Sequence, residues 1–197
     1  MRGLIGLKGV LALMGRAPMS DFRTFFGKQT SAFKSSLAAV GGSVLLIMLT
    51  ARSIFMMQSR RADGDNIEKA VSQELPLLNI GITALFYLLV FTVTAFLLTT
   101  LFHKKEAFGR WVTLRHWMVF YTLTPTALIL TLAGSGLLPA ILATGVLFTV
   151  FVGLLFADIR LAFKAGTLDI VGAIFAACII HAAGLVIILT ATVQSLP

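Results

Sequence analysis

Four stretches of this chain contain no Asp, Glu, Lys or Arg at all: Leu77 to Phe102, Trp117 to Leu132, Leu137 to Phe156 and Ile170 to Val193. A helix rises about 1.5 Å per residue against roughly 30 Å of hydrocarbon, so about 20 apolar residues suffice to cross a bilayer. These runs read as membrane helices, the second being short unless it borrows residues from its flanks. A fifth run, Ser36 to Met57, contains Arg52. That arginine lies about five residues from the end of the run, roughly 7 to 8 Å, close enough for a long side chain to snorkel to the headgroups.

The predicted fold class is therefore all-α: a polytopic transmembrane helix bundle of about five spans, preceded by an amphipathic N-terminal interfacial segment. Composition agrees, since apolar residues form 58% of the chain, charged ones 12%, and the mean hydropathy is +0.96. Such a balance lies outside the soluble globular range. No polar, Pro-rich or Ser-rich linker divides the 197 residues, so residues 36–197 read as one transmembrane domain behind a basic segment of residues 1–35. The formal charge of +8 would suggest nucleic acid in a soluble protein. Here the basic residues sit between apolar runs, which assigns Lys104, Lys105, Arg110 and Arg115 to lipid headgroups and makes anionic lipid the expected partner rather than nucleic acid. With Cys178 as the single cysteine, an internal disulfide is excluded.

Orientation follows from the basic residues of the connections. Arg2, Lys8, Arg16, Arg23, Lys28 and Lys34 precede the first span, Lys104, Lys105, Arg110 and Arg115 follow the second, and Arg160 and Lys164 follow the fourth, twelve in all. The other side holds Arg60, Arg61 and Lys69. The positive-inside bias then predicts a cell inner-membrane protein with a cytoplasmic N-terminus and an external C-terminus. Within the first 35 residues Leu4, Leu7, Leu11 and Met14, then Phe22, Phe25, Phe26 and Phe33, recur at helical spacing among cations, which suits interfacial helices anchored on anionic lipid. A cleaved signal peptide is the rival, but Lys8 interrupts its apolar core.

Small residues mark packing faces. Gly145, Thr149, Gly153 and Ala157 recur every four residues in the fourth span and form one ridge that admits a second backbone, from the same chain, another copy or a membrane partner. In the fifth span Ala173, Ala177 and His181 share a spacing, with Gly184 three residues on, so the imidazole is expected to face protein. The second span offers Asn79, Thr83, Tyr87 and Thr94 as partners for it; the third contributes Tyr121, Thr124 and Pro125, where the proline frees a carbonyl and predicts a kink. The connection Ala133-Gly134-Ser135-Gly136 reads as a tight turn, with Pro139 in the first turn of the next helix.

Histidine at membrane depth is a functional candidate by default. Its alternative is a neutral ring held by one hydroxyl, and because no carboxylate falls inside an expected span, the structural role is favoured. Asp158, Arg160, Lys164 and Asp169 are expected to pair locally beyond the fourth span. Catalytic patterns are absent from the sequence. No His-Glu-x-x-His run offers a metal site, and Ser135 with His181, the one pairing that resembles a serine hydrolase, puts the serine in a turn. No cofactor is expected.

The five-span layout, the basic loop His103-Lys104-Lys105-Glu106-Ala107-Phe108-Gly109-Arg110 and the proline-bearing run Trp117 to Pro125 resemble the Yip domain family of small five-helix membrane proteins. That resemblance covers roughly Leu77 to Val193. It implies a membrane scaffold or interaction protein without enzymatic activity. The alternative is a transporter or channel subunit built on His181 and the polar stripe of the second span, or an accessory subunit of a larger membrane complex.

Overall fold

In the computed structural model the described residues are 29–59 and 77–194. Of the interfacial segment expected over residues 1–35, residues 1–28 lie outside them, as do Arg60, Arg61, Lys69 and residues 195–197, while residues 29–35 continue without a break into the first span. Among the described residues there are five α-helices and one short 3-10 turn, and no strand: α1 (Gln29–Ser59), α2 (Leu77–Leu101), the turn Lys105–Ala107, α3 (Phe108–Gly134), α4 (Ala140–Lys164) and α5 (Ile170–Gln194). The all-helical reading is correct. Four of these helices are long and apolar enough to cross a membrane, and α5 adds a shorter apolar stretch, Ile170–Gly184, within its described side chains.

Helix boundaries differ from the apolar runs in an informative way. α1 begins at Gln29 and α4 continues to Lys164, while α3 begins at Phe108, nine residues ahead of Trp117. The run Trp117 to Leu132 would span only about 24 Å at the α-helical rise. The borrowed turns carry Arg110, Arg115 and His116 into the helix.

Termination is local. α2 ends where His103 takes φ 54° and the Lys104 amide reaches back to the Thr99 carbonyl at 2.6 Å, a Schellman-type closure. α3 ends with Gly136 at φ 84° and the Leu137 amide on the Leu132 carbonyl, 2.9 Å. Only a residue without Cβ adopts that φ at no cost. Pro139 is not inside the first turn of α4; it is the residue before it, in an extended conformation, where its missing N–H and fixed φ commit the chain to begin a helix. Pro125 lies inside an uninterrupted α3, with the Thr124 hydroxyl on the Phe120 carbonyl at 2.8 Å.

The core sits around the first half of α3, where every residue from Trp111 to Val119 is buried. That is possible only if helices surround it. α3 runs along α1 and also packs on α4 and α2, while α5 packs on α4 and α2. A main cluster of Phe91, Leu98, Trp111, Leu114, Met118, Leu161 and Ile180 occupies one end, and a small one of Leu130, Ala133 and Ala143 the other. At the second cluster a Cβ on Gly134 would stand 2.9 Å from the Ser53 carbonyl oxygen, so the glycine lets α3 touch the α1 backbone.

Candidate functional site: a buried charge cluster

Arg115 projects from α3 toward α4 and is 1% exposed, as is its partner Asp158. Its Nε donates to Oδ1 at 2.8 Å and its Nη2 to Oδ2 at 3.1 Å, a bidentate pair. Nη2 also donates to the Tyr87 hydroxyl on α2 at 2.9 Å. The guanidinium carbon lies 4.0 Å from the centre of the Phe91 ring, within cation-π range. On the far side of the carboxylate, His181 Nδ1 of α5 stands 3.8 Å from Oδ2. The same nitrogen donates to the Ala177 carbonyl one turn earlier, at 3.0 Å, and the ring meets Phe151 edge-on at 5.8 Å. Four helices thus converge on one ion pair.

Its depth follows from the helix registers. Arg115 is seven residues into α3 and Asp158 six residues before the end of α4, about 10 Å inside the helix ends. An ion pair at that depth is favourable only with close geometry, because each charge has lost its water. One donor is left over. Arg115 Nη1 is buried with no partner among the described residues.

The neighbouring residue of α3 points the other way. His116 Nδ1 is hydrogen-bonded to the Ser36 hydroxyl of α1, and Nε2 stands 3.5 Å from the Thr92 hydroxyl of α2. Thr92 donates its own proton to the Leu88 carbonyl at 3.0 Å. The pattern consistent with all three oxygens therefore places the ring hydrogen on Nε2, with Ser36 donating to Nδ1. Phe91 packs edge-on against both His116 and Trp111, at 5.7 and 6.1 Å. Consecutive residues of α3 hence fasten it to α1, α2 and α4, and α5 joins the cluster through the approach of His181 to Asp158.

Two expectations are corrected here. Arg115 is not a headgroup residue, and Asp158 does not pair locally beyond the fourth span; each satisfies the other inside the bundle. Arg110 turns inward as well, its Nε and Nη2 both donating to the Ala165 carbonyl at 3.2 and 2.9 Å, which ties the first turn of α3 to the end of α4. Lys104 and Lys105 are exposed. His181 does face protein, yet the hydroxyl of Tyr87 serves Arg115 rather than the imidazole, and Thr83 and the exposed Asn79 stand outside the cluster. Tyr121 is stacked on Trp117 at 5.4 Å, and Thr124 and Pro125 are exposed.

None of the protein-family models, curated proteins or solved structures compared with this chain matches it. The chemistry must be read from the residues themselves. Ser135 caps the end of α3, donating to the Leu132 carbonyl at 2.9 Å, so it belongs to the opposite end of the helix from Arg115. No three His, Cys, Asp or Glu side chains gather among the described residues.

The expected packing faces divide. Ala173 and Ala177 are fully buried, and a Cβ on Gly184 would clash with the Tyr87 ring, so the small face of α5 brings α2 close beside the charge cluster. The ridge of α4 does the reverse. Gly145, Thr149 and Gly153 are exposed, and a Cβ on either glycine would meet nothing within 4 Å.

Sequence reasoning missed Ser36, Thr92 and His116, and placed Asp158 outside the span. The available signal was the short third run: any helix spanning the membrane there had to draw Arg115 and His116 inward, and a buried arginine requires a carboxylate.

Proposed function

We propose that the chain is a non-enzymatic, multi-pass membrane protein of Yip-like type that acts as a scaffold, holding a rigid bundle against a partner helix from a second copy or another membrane protein. The observation that carries this reading is that the buried charges are paired with one another. Arg115 and Asp158 are each 1% exposed and bidentate, so the described residues close over the pair in this conformation. The small-residue ridge of α4, in contrast, is exposed at Gly145, Thr149 and Gly153, where a Cβ on either glycine would meet nothing within 4 Å among the described residues, and only Ala157 at its end packs on the core. Close backbone approach is the favourable use of such a ridge in lipid.

An inner-membrane location with the N-terminus cytoplasmic belongs to the same proposal. Its support is that Lys104, Lys105, Arg160 and Lys164 all fall at the end of the bundle where α2 and α4 finish and α3 and α5 begin. Without the buried Arg115 the count of basic residues becomes eleven against three, so the charge bias persists.

The transport reading keeps one specific observation, the 3.8 Å approach of His181 to Asp158 at membrane depth. Cysteine cross-linking separates the two. Thr149→Cys in a Cys178→Ser background is expected to give an oxidative cross-link in native membranes, to itself or to another protein. Absence of any cross-link, together with proton-driven flux in proteoliposomes, would reverse the order of the two readings.

A further inference from the structure

The end of the bundle that carries Lys104 is a folded platform rather than a set of loose loops. Arg110 binds the Ala165 carbonyl through two nitrogens, the Leu168 amide reaches the Ala162 carbonyl at 3.2 Å, and the Lys104 amide closes the end of α2. Trp111 is fully buried beneath it. The described charges here are Lys104, Lys105, Arg110, Arg160 and Lys164 against Glu106 and Asp169, five minus two, a net of +3. Asp169 is engaged at the start of α5, its Oδ1 accepting the Gly172 amide at 2.6 Å. Lys104, Lys105 and Lys164 form no ion pair with a described residue.

Next to these lysines in sequence, at the same end of the bundle, are apolar side chains that the described residues leave uncovered. Phe102 is 36% exposed two residues before Lys104, Phe163 is 47% exposed immediately before Lys164, and Leu101 is 69% exposed. A partner that satisfies both features must present anionic oxygens together with hydrocarbon. A nucleic acid offers the first without the second, and a protein would have to bring carboxylates and apolar side chains together at the level of the headgroups. A phospholipid offers both.

We propose that this platform is a binding site for an anionic phospholipid, with Lys104, Lys105 and Lys164 holding the headgroup phosphate and Phe102 and Phe163 lying along its acyl chains. The inference requires only that the helices lie in a bilayer, so it stands or falls independently of the choice between scaffold and transport.

The test uses the full-length protein, exchanged into nanodiscs of phosphatidylglycerol and phosphatidylcholine in equal amounts, with retained lipid measured by native mass spectrometry. The wild type is expected to retain phosphatidylglycerol over phosphatidylcholine. The preference should fall about fivefold for each of Lys104→Gln, Lys105→Gln and Lys164→Gln, and also fall on raising salt. The corresponding triple arginine variant should keep it, and melting temperatures should show that all variants fold. Retention at the bulk ratio by the wild type, or an undiminished preference in the triple glutamine variant, overturns the proposal. So does stabilisation by inorganic phosphate equal to that by the lipid, since the site would then recognise a free anion.

Discussion

The Nε and Nη2 of Arg115 meet the two carboxylate oxygens of Asp158 at 2.8 and 3.1 Å, across 43 residues of sequence and between two helices that otherwise present mostly apolar surface. Removal of one partner leaves an uncompensated charge in a dry interior, which costs about 3 to 5 kcal/mol. Replacement of both by apolar residues of similar size removes the desolvation cost along with the attraction. Arg115→Met and Asp158→Leu should therefore each lower the melting temperature strongly, and the double variant should recover most of the loss. A double variant as unstable as the singles would show that the pair does more than cancel its own charges.

His181 behaves differently because its hydrogen-bond partner does not depend on it. The Ala177 carbonyl that accepts from Nδ1 lies within α5, where the helix supplies its own amide donor. His181→Leu should thus cost less than about 1 kcal/mol, below the 1 to 3 kcal/mol of a stranded polar group. A larger loss in a thermal melt would mean that the 3.8 Å contact with Asp158 contributes materially to the ion pair.

At His116 the Ser36 contact outranks the Thr92 contact, because Ser36 donates to a nitrogen that has no other donor among the described residues, while the Thr92 hydroxyl already donates its proton to the Leu88 carbonyl. Ser36→Ala leaves a buried ring nitrogen without its partner, an expected loss of about 1 to 3 kcal/mol, whereas Thr92→Val removes a 3.5 Å contact at the limit of hydrogen bonding. Thermal melts in detergent should rank Ser36→Ala as the more damaging. Equal effects would shift the anchoring role from α1 to α2.

Apolar run length was sufficient to read the fold class, because about 20 uncharged residues in succession leave few options but a spanning helix. The charge cluster was not legible for the same reason. Hydropathy places a span wherever charge is absent, so the turns of α3 that contain Arg115 and His116 and the turn of α4 that contains Asp158 read as loop. Their burial depends on α2 and α5 lying alongside, a tertiary fact that a single helix's pattern does not encode. Spacing did identify the inward face of α5 at Ala173, Ala177 and Gly184. It identified an equally regular face on α4 without revealing that it points outward, since small residues recurring every four positions look the same on either side of a helix.

That ambiguity yields the last prediction. Gly134 and Gly153 are both helical glycines of apolar spans, but a Cβ at Gly134 would stand 2.9 Å from the Ser53 carbonyl while one at Gly153 would meet nothing within 4 Å. Backbone cannot yield as a flexible side chain does, so Gly134→Ala must separate α1 from α3 and weaken the Ser53 to Thr131 hydroxyl contact at 3.2 Å. A loss of about 1 to 3 kcal/mol is expected from such overpacking. Gly153→Leu should leave the melting temperature of the isolated chain unchanged. Any effect of that variant should appear only in assembly, as lost cross-linking or lost recovery of a partner helix. If Gly153→Leu destabilised the isolated chain, the ridge would contact this chain's own residues outside those described. If it changed neither stability nor assembly, the ridge would face lipid and the scaffold reading would lose its interface.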